Sequence, residues 1–268
     1  MTKAKKWFMR SYIWLILALM YIPLIVLFIY SFTTGPMGDW NNGFSFQLYA
    51  DLFTGDHSGD IMNALLNTVI IALVSGLLAL VLGTLGAIGI DKLKKRMRNG
   101  ISTVAKLPII NAEIITALAF MIFIASLNMQ PNWFSIIMAH VSFCTPYVLL
   151  AVLPKLQQVN NNSYEAALDL GANPAQALTK VILPQIFPAM ASGFLMAVTI
   201  SIDDFVITQL NKPDAINTLS TYIYDSGVKQ PMPAEVRALS VLIFIFALGI
   251  MYLAYRMSSK NNKKEQKI

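Results

Sequence analysis

The sequence predicts an all-α, polytopic membrane protein with six transmembrane helices, and two observations carry this prediction. Of its 268 residues, 56% are hydrophobic and 13% are charged, whereas soluble domains have a charged fraction near 25%. Apolar stretches also recur along the chain, and each is about as long as the roughly 20 residues that a helix needs to cross a bilayer. The predicted spans cover residues 11–32, 61–90, 101–127, 133–153, 187–210 and 235–255.

The first span follows a basic segment that contains Lys3, Lys5, Lys6 and Arg10. A cleavable signal peptide has a shorter apolar core and small residues before the cleavage site. Here the core is longer and ends among bulky aromatic side chains. We therefore expect an uncleaved helix, so that residues 1–60 form the N-terminal transmembrane helix and an external loop.

The distribution of basic residues predicts the topology. The N-terminal segment, the loop 91–100 and the tail 256–268 are rich in Lys and Arg, whereas residues 33–60 contain neither. Because short cytoplasmic loops carry the excess of basic residues, we expect both termini to be cytoplasmic. The net charge of +6 is explained by this clustering, and we expect no nucleic-acid partner.

Other function classes lack their sequence features. The single cysteine, Cys144, cannot form an intrachain disulfide. His57 and His140 are isolated along the sequence, which predicts no metal site. A phosphate-binding loop of the GxxxxGK[ST] type is absent from the sequence, so any ATP hydrolysis would belong to another chain.

The polar stretch 160–188 predicts two short helices. Asn162 can cap the first helix, in a capping box with the glutamate three residues on. Gly171 suits the position just after that helix. Asn173-Pro174 would begin the second helix, and Leu183-Pro184 would break it before the next span.

A specific motif lies within this stretch. Glu165-Ala166-Ala167 is followed by three residues and Gly171, then by nine residues, Val181 and Leu183-Pro184. The pattern resembles the EAA loop of ABC importer permeases, with Val181 at a position where the family has isoleucine. Two shorter segments, 201–207 and 233–239, resemble those of the polyamine (spermidine/putrescine) permeases within this family.

The resemblance implies a type-I ABC importer permease (MetI-like) fold over residues 61–255, followed by a basic cytoplasmic tail at 256–268. It implies a second permease subunit as heterodimer partner, two copies of a cytoplasmic ATPase subunit and an extracellular or periplasmic polyamine-binding protein. The setting would be the bacterial cytoplasmic membrane. No cofactor is expected in this chain, because the ATPase would bind ATP and Mg. The chain would be a transport subunit that works by alternating access, not an enzyme.

The EAA-like segment is the expected coupling helix that docks in a cleft of the ATPase. Its small and acidic residues suit close approach to a partner with basic groups. An alternative is a helix that lies on the bilayer, but such a helix would be basic to suit anionic lipid. The expected coupling residues are Glu165, Ala166, Ala167, Asp169, Gly171 and Ala172.

Three acidic residues are candidates for a cation pathway, because acidic groups are rare within spans and mark functional sites. Asp203 and Asp204 fall in the outer half of the fifth span. Neighbouring helix residues point about 100° apart, so one would face the lumen while the other caps a helix, pairs with a base or contacts the second permease. Glu113 falls near the midplane as an isolated acid, either functional or protonated and bonded to Asn111 or Thr116.

Aromatic faces between the acids would suit a polyamine, whose ammonium groups are joined by apolar methylenes. Ordinary helix packing or an interfacial belt explains such residues equally well. The candidates are Trp133, Tyr147, Phe205, Tyr222 and Tyr224.

Three rival functions remain open. An ABC importer permease could carry another substrate, such as ferric ion or an amino acid. An ion-coupled secondary transporter could use the buried acids for H⁺ or Na⁺, although it would leave the EAA-like loop unexplained. A membrane scaffold would not need acids within its spans.

Overall fold

The computed structural model describes residues 3–35, 42–229 and 233–265, and within these ranges the chain is helical with no β-strand. Within the same described ranges, one π-helical turn, Leu178–Ile182, interrupts the α-helices. The α-helices are α1 Lys3–Tyr30, α2 Gln47–Thr54, α3 Ser58–Asp91, α4 Lys95–Val104, α5 Leu107–Ile110, α6 Glu113–Ser126, α7 Trp133–Leu156, α8 Asn161–Asp169, α9 Pro174–Ala177, α10 Leu183–Asp203, α11 Val206–Asn211, α12 Leu219–Lys229 and α13 Glu235–Glu265.

Within the described residues, four helical segments are long and apolar enough to cross a membrane: Tyr12–Tyr30, Ser58–Asp91, Trp133–Leu156 and Pro174–Asp203. A bent pair, Lys95–Ile110 with Glu113–Ser126, gives a fifth candidate. Helix α13 covers the predicted sixth span, and α12 lies in a region that the sequence predicts as a loop. The side chains of the basic tail at 256–268 lie outside the described residues.

The chain divides into two compact units. The first comprises the described parts of Met1–Met62 and Ile223–Phe246. Within it, the hydroxyl groups of Ser31 and Tyr49 lie 2.7 Å apart, at the end of α1 and on α2. Phe32 stacks on Phe44, with ring centroids 5.0 Å apart, and meets Phe46 edge-on at 5.4 Å. These contacts hold residues 44–49 against the C-terminal end of α1.

The second unit comprises the described parts of Asn63–Tyr222 and Ala247–Ile268. Its core lies along α7, where Val148 is fully buried. Small residues let other helices approach this point. A Cβ atom on Gly83 of α3 would lie 2.7 Å from Val148 Cβ, and one on Gly193 of α10 would lie 3.3 Å from Val148 Cα. Helices α3 and α10 therefore pack closely against α7.

The third predicted span is interrupted, which corrects the expectation of one helix over 101–127. Segments Lys95–Ile110 and Glu113–Ser126 meet at a bend of 99°. At the break Asn111 is extended, with ψ 148°, and so is Ala112, with ψ 132°. Two successive extended residues end the helical hydrogen bonding, so α6 starts afresh at Glu113.

The fifth predicted span, 187–210, is also broken. Helix α10 ends at Asp203, Asp204 is extended with ψ 130°, and α11 begins at Val206. Nothing in the apolar pattern of this span signals the break. Its cause is the Asp204 side chain, which bonds to backbone N–H groups in the first turn of α11.

The predicted break at Leu183-Pro184 is absent, because Pro174–Asp203 forms one candidate span. A proline inside an α-helix lacks an N–H donor and clashes with the carbonyl group four residues earlier. The π-helical turn Leu178–Ile182 lies directly before Pro184, and in it the N–H of Leu183 bonds to the carbonyl of Leu178. The wider turn accommodates the proline without ending the helix.

Candidate functional site

The Asp204 side chain caps the helix that follows it. The residue as a whole is 5% exposed, and both of its carboxylate oxygens accept hydrogen bonds. Oδ1 accepts from the backbone N–H of Ile207 at 3.2 Å. Oδ2 accepts from the backbone N–H of Thr208 at 2.8 Å and from Thr208 Oγ1 at 2.7 Å. These bonds satisfy N–H groups that the first turn of a helix leaves without partners.

Asp203, the last residue of α10, is exposed. The two neighbouring acids therefore occupy different environments: Asp204 is buried and committed to α11, whereas the Asp203 side chain is open to its surroundings. The exposed carboxylate is the one free to bind a cation that arrives from outside the chain.

Glu113 is the first residue of α6 and is half-buried. Its side chain lies within hydrogen-bonding reach of Asp204, and Asp203 is near enough for its charge to act on Glu113. The expectation of an isolated acid is therefore wrong, because the structure brings all three candidate acids together. Carboxyl groups this close together repel one another when ionised, so a cation among them would be stabilised.

His140 belongs to the same cluster, although its sequence context shows no partner. The side chain is fully buried. Its Nδ1 lies 2.7 Å from Ser201 Oγ, and its Nε2 lies 3.0 Å from Thr208 Oγ1 and 3.5 Å from Asp204 Oδ2. The available signal was that a histidine in an apolar span must find polar partners. Which partners it finds depends on the packing of α7 against α10 and α11.

The buried side chain of Asn211 also makes hydrogen bonds near the acids. Asn211 is 2% exposed, and its Nδ2 donates to the carbonyl of Ala117 in α6 at 3.2 Å and to that of Ile207 at 3.0 Å. Ser135 Oγ of α7 donates to the carbonyl of Asn211 at 3.2 Å. These bonds tie α6, α7 and α11 together behind the acids.

The predicted aromatic residues have different surroundings. Trp133 is 40% exposed at the start of α7. Tyr147 is half-buried and meets Phe143 edge-on, with ring centroids 5.6 Å apart. Tyr222 is 9% exposed and Tyr224 is 47% exposed. Their predicted contact with substrate stays a prediction.

The stretch 160–188, which contains the expected coupling helix, has the predicted helix–turn–helix form, with one correction at its start. Asn160, not Asn162, caps α8, because Asn160 Oδ1 accepts from the backbone N–H of Asn162 at 3.0 Å. A capping box with Glu165 therefore does not form. The second helix starts as predicted: Asn173 and Gln176 form a reciprocal capping box around Pro174.

Gly171 ends α8 in the left-handed conformation, with φ +88°. The N–H of Ala172 bonds to the carbonyl of Ala167 at 3.0 Å, and the N–H of Gly171 bonds to that of Leu168 at 2.9 Å. This pair of bonds is the Schellman motif. The turn projects Leu170, whose side chain is 89% exposed. The sequence pattern did not single out Leu170.

Tyr164 anchors α8 to the rest of its unit. Its ring packs against the hydrophobic core, and Lys92 Nζ of the loop after α3 lies 4.7 Å from the ring centroid. A cavity of about 30 Å³ beneath it is lined by residues of α3, α7 and the π-helical turn. Glu165, Ala166 and Asp169 are exposed, whereas Ala167 and Ala172 are half-buried. Helix α8 is therefore packed on the core through Tyr164 and exposes its opposite face.

No metal site accompanies these features in the part of the chain that the structure describes, where no group of three or more His, Cys, Asp or Glu side chains is placed to hold a metal ion.

Comparison with known families decides the class of protein. Residues 79–259 match the family described as binding-protein-dependent transport system inner membrane component. This chain belongs to that family. Its members are membrane transport components, which confirms that the chain is a multi-pass transport subunit and not an enzyme.

Individual relatives of this inner membrane component agree. It is 31% identical, over 96% of the chain and 99% of the relative, to the spermidine/putrescine transport system permease protein PotC of Haemophilus influenzae. It is 30% identical, over 91% of the chain and 88% of the relative, to the putrescine transport system permease protein PotI of Escherichia coli K12. The resemblance to polyamine permeases is confirmed.

A solved structure supports the fold. A bacterial ABC transporter involved in the import of the acidic polysaccharide alginate superposes on this chain with a TM-score of 0.71, over 96% of each chain, at 20% identity. At that identity the likeness extends to the fold alone, which is that of an ABC importer permease. The predicted fold family is confirmed.

Proposed function

We propose that this chain is the membrane-spanning permease of an ATP-driven importer that carries polyamines into the cytoplasm by alternating access. The observation that carries the proposal is the position of three acids at two helix breaks: Glu113 is the first residue of α6 after the bend, and Asp203 and Asp204 lie between α10 and α11. Discontinuous spans form the substrate sites of many transporters. The names of the relatives PotC and PotI supply the substrate class.

The chemistry of the cluster suits a linear cation with several ammonium groups. Acids within a span are costly unless they pair with a cation or with hydrogen-bond donors. Asp204 is supplied with donors by α11, whereas Asp203 is exposed and Glu113 shares its surroundings with Asp204. Two carboxyl groups therefore remain to receive ammonium groups. An anionic substrate would require basic groups in their place.

The proposed topology has six spans, with both termini and the coupling loop in the cytoplasm of a bacterium. It rests on the clustering of basic residues and on the family. Single cysteines introduced at Leu170 and at Asp56, in a background with Cys144→Ala, test it by labelling intact cells with a membrane-impermeant maleimide. We expect labelling at position 56 and protection at position 170. Labelling at position 170 would reverse the topology.

The proposed partners are a second permease subunit, two copies of an ATPase subunit that binds ATP and Mg, and an extracellular or periplasmic polyamine-binding protein. The exposed face of α8 and the projecting Leu170 form the docking surface for the ATPase. ATP binding would draw the coupling helices of the two permeases together and open the pore outward, and hydrolysis would reset it. The chain itself would bind no cofactor.

Reconstitution tests the whole proposal. The chain is assembled with the partner permease, ATPase and binding protein encoded beside it, and uptake of spermidine, putrescine, ferric ion and amino acids is measured in proteoliposomes. We expect uptake of a polyamine that requires ATP. A proton or sodium gradient without ATP serves as the control for a secondary transporter. Uptake driven by the gradient alone, or ATP-driven uptake of another substrate only, would refute the proposed function.

A further inference from the structure

We propose that His140 is a positioning residue of the polyamine site, which holds the Asp204 carboxylate in place through Thr208. The substrate in this statement rests on the proposed function. The geometry does not, because it concerns bonds among groups of this chain. His140 is not itself one of the predicted substrate-path residues, and we propose that it acts on Asp204 through Thr208.

The hydrogen bonds assign a proton to one ring nitrogen. The Thr208 hydroxyl group has one hydrogen, and it is donated to Asp204 Oδ2 at 2.7 Å. Thr208 Oγ1 can therefore only accept in its contact with His140 Nε2 at 3.0 Å. Nε2 must carry a hydrogen. The ring thus donates to Thr208, and Thr208 in turn donates to Asp204.

The opposite side of the ring bonds to the segment before the helix break. His140 Nδ1 lies 2.7 Å from Ser201 Oγ, and Ser201 is a buried residue of α10. Thr208 belongs to α11, after the break. One imidazole ring of α7 therefore connects the end of α10 with the start of α11, where backbone hydrogen bonding is interrupted.

The arrangement determines where the Asp204 carboxylate points. Oδ2 receives the bonds from Thr208 and lies beside Nε2, while Oδ1 receives one bond from Ile207. Loss of the Nε2 donor frees the Thr208 hydroxyl group to turn away from Asp204. The Asp204 carboxylate would then shift relative to Glu113 and displace one of the two carboxyl groups that are proposed to receive ammonium groups.

Three variants test this role. His140→Leu removes the hydrogen bonds to Ser201 and Thr208, His140→Asn keeps a polar atom near the Nδ1 position, and His140→Gln keeps an N–H donor near the Nε2 position. Polyamine-stimulated ATPase activity of the full transporter gives KM and kcat for each. Loss of the Nε2 donor weakens the hydrogen bond from Thr208 to the charged Asp204, and such bonds contribute more to binding free energy than neutral ones. We therefore expect KM to rise on the order of tenfold in His140→Leu and His140→Asn. His140→Gln should return KM most of the way to the wild-type value.

Thr145→Val is the matched control. Thr145 lies on the same helix, and its Oγ1 donates to the carbonyl of Val141 in that helix. We expect unchanged KM in this variant. If the three His140 variants lower the amount of assembled transporter or kcat but leave KM unchanged, His140 is structural only and the inference fails.

A second measurement needs no substrate and covers the case in which the variants do not assemble. The chain contains two histidines, His57 and His140, so ¹⁵N-histidine labelling with His57→Asn leaves one ring to observe. We expect a hydrogen on Nε2 of His140. A ring with a bare Nε2 and a hydrogen on Nδ1 would overturn the inference.

The two experiments separate the inference from the proposed function. A wild-type transporter that shows no polyamine stimulation refutes the substrate, while the ring state of His140 still decides the bonding. Polyamine stimulation in the wild type together with a bare Nε2 refutes the positioning role and leaves the substrate intact.

Discussion

Asp204 Oδ2 and His140 Nε2 lie 3.5 Å apart, and the two side chains are 1% and 0% exposed. A buried carboxylate is destabilising unless hydrogen-bond donors surround it. Here the donors come from α11, and α7 supplies the histidine behind them. The acid that the sequence predicts as a transport residue is therefore first a residue of local structure, and its exposed neighbour Asp203 is the better candidate for direct contact with substrate.

We expect Asp204→Ala and Asp203→Ala to have different effects. Removing Asp204 leaves the N–H groups of Ile207 and Thr208 without their acceptor, which should destabilise the chain by about 1–3 kcal/mol and lower its apparent melting temperature in detergent. Removing exposed Asp203 should leave the melting temperature unchanged and raise the KM for polyamine. Equal melting temperatures for the two variants would contradict the assigned cap.

Gly171 tests the turn after the coupling helix. At φ +88° a β-branched side chain is strained, at a cost of about 1–2 kcal/mol, whereas asparagine tolerates this region. We expect Gly171→Val to lower uptake per ATP hydrolysed and Gly171→Asn to retain most of it. A Cβ atom at this position meets nothing within 4 Å, so a steric clash cannot account for the difference. Similar uptake per ATP hydrolysed in the two variants would contradict the explanation by backbone strain.

A substitution at Leu170 tests the proposed docking surface for the ATPase. Its side chain is 89% exposed, and burial of a leucine side chain in a partner cleft contributes about 1.5–3 kcal/mol. We expect Leu170→Ser to weaken capture of the ATPase by roughly tenfold or more with no loss of stability of the isolated chain. Thr179→Ala, an exposed change in the neighbouring π-helical turn, is the control. Retained affinity in Leu170→Ser would place the docking surface elsewhere.

Two glycines of α3 offer a matched pair for helix packing. A Cβ atom on Gly83 would lie 2.7 Å from Val148 Cβ, whereas one on Gly89 would meet nothing within 4 Å. Overpacking of a core typically costs about 1–3 kcal/mol, so Gly83→Ala should lower the apparent melting temperature. Gly89→Ala should leave it unchanged or raise it, because alanine favours the helix. The reverse order would exclude a close approach of α3 to α7.

The sequence predicted the family, the apolar stretches and the helix–turn–helix form of residues 160–188, because each depends on local sequence patterns. Gly171 is required by its φ angle, and the Asn173-Pro174 start depends on a capping box within four residues. These features do not need knowledge of how the helices pack.

The features that the sequence did not predict depend on tertiary contacts. The break after Asp203 depends on a side chain that can equally face a lumen or bond to the next turn. The partners of His140 lie 61 and 68 residues away along the chain, and no periodic pattern connects them. Pro184 was expected to end a helix, and the π-helical turn before it accommodates the ring.

Because the π-helical turn does not end the helix, Pro174–Asp203 is one continuous helical segment. Its 30 residues span about 45 Å at roughly 1.5 Å per residue. A rotation of about 5° at the coupling loop would move the far end of such a rod by roughly 4 Å. This displacement exceeds the length of every hydrogen bond around Asp204. A small tilt of this segment is therefore enough to move Asp203, at the end of α10, relative to Glu113 and His140.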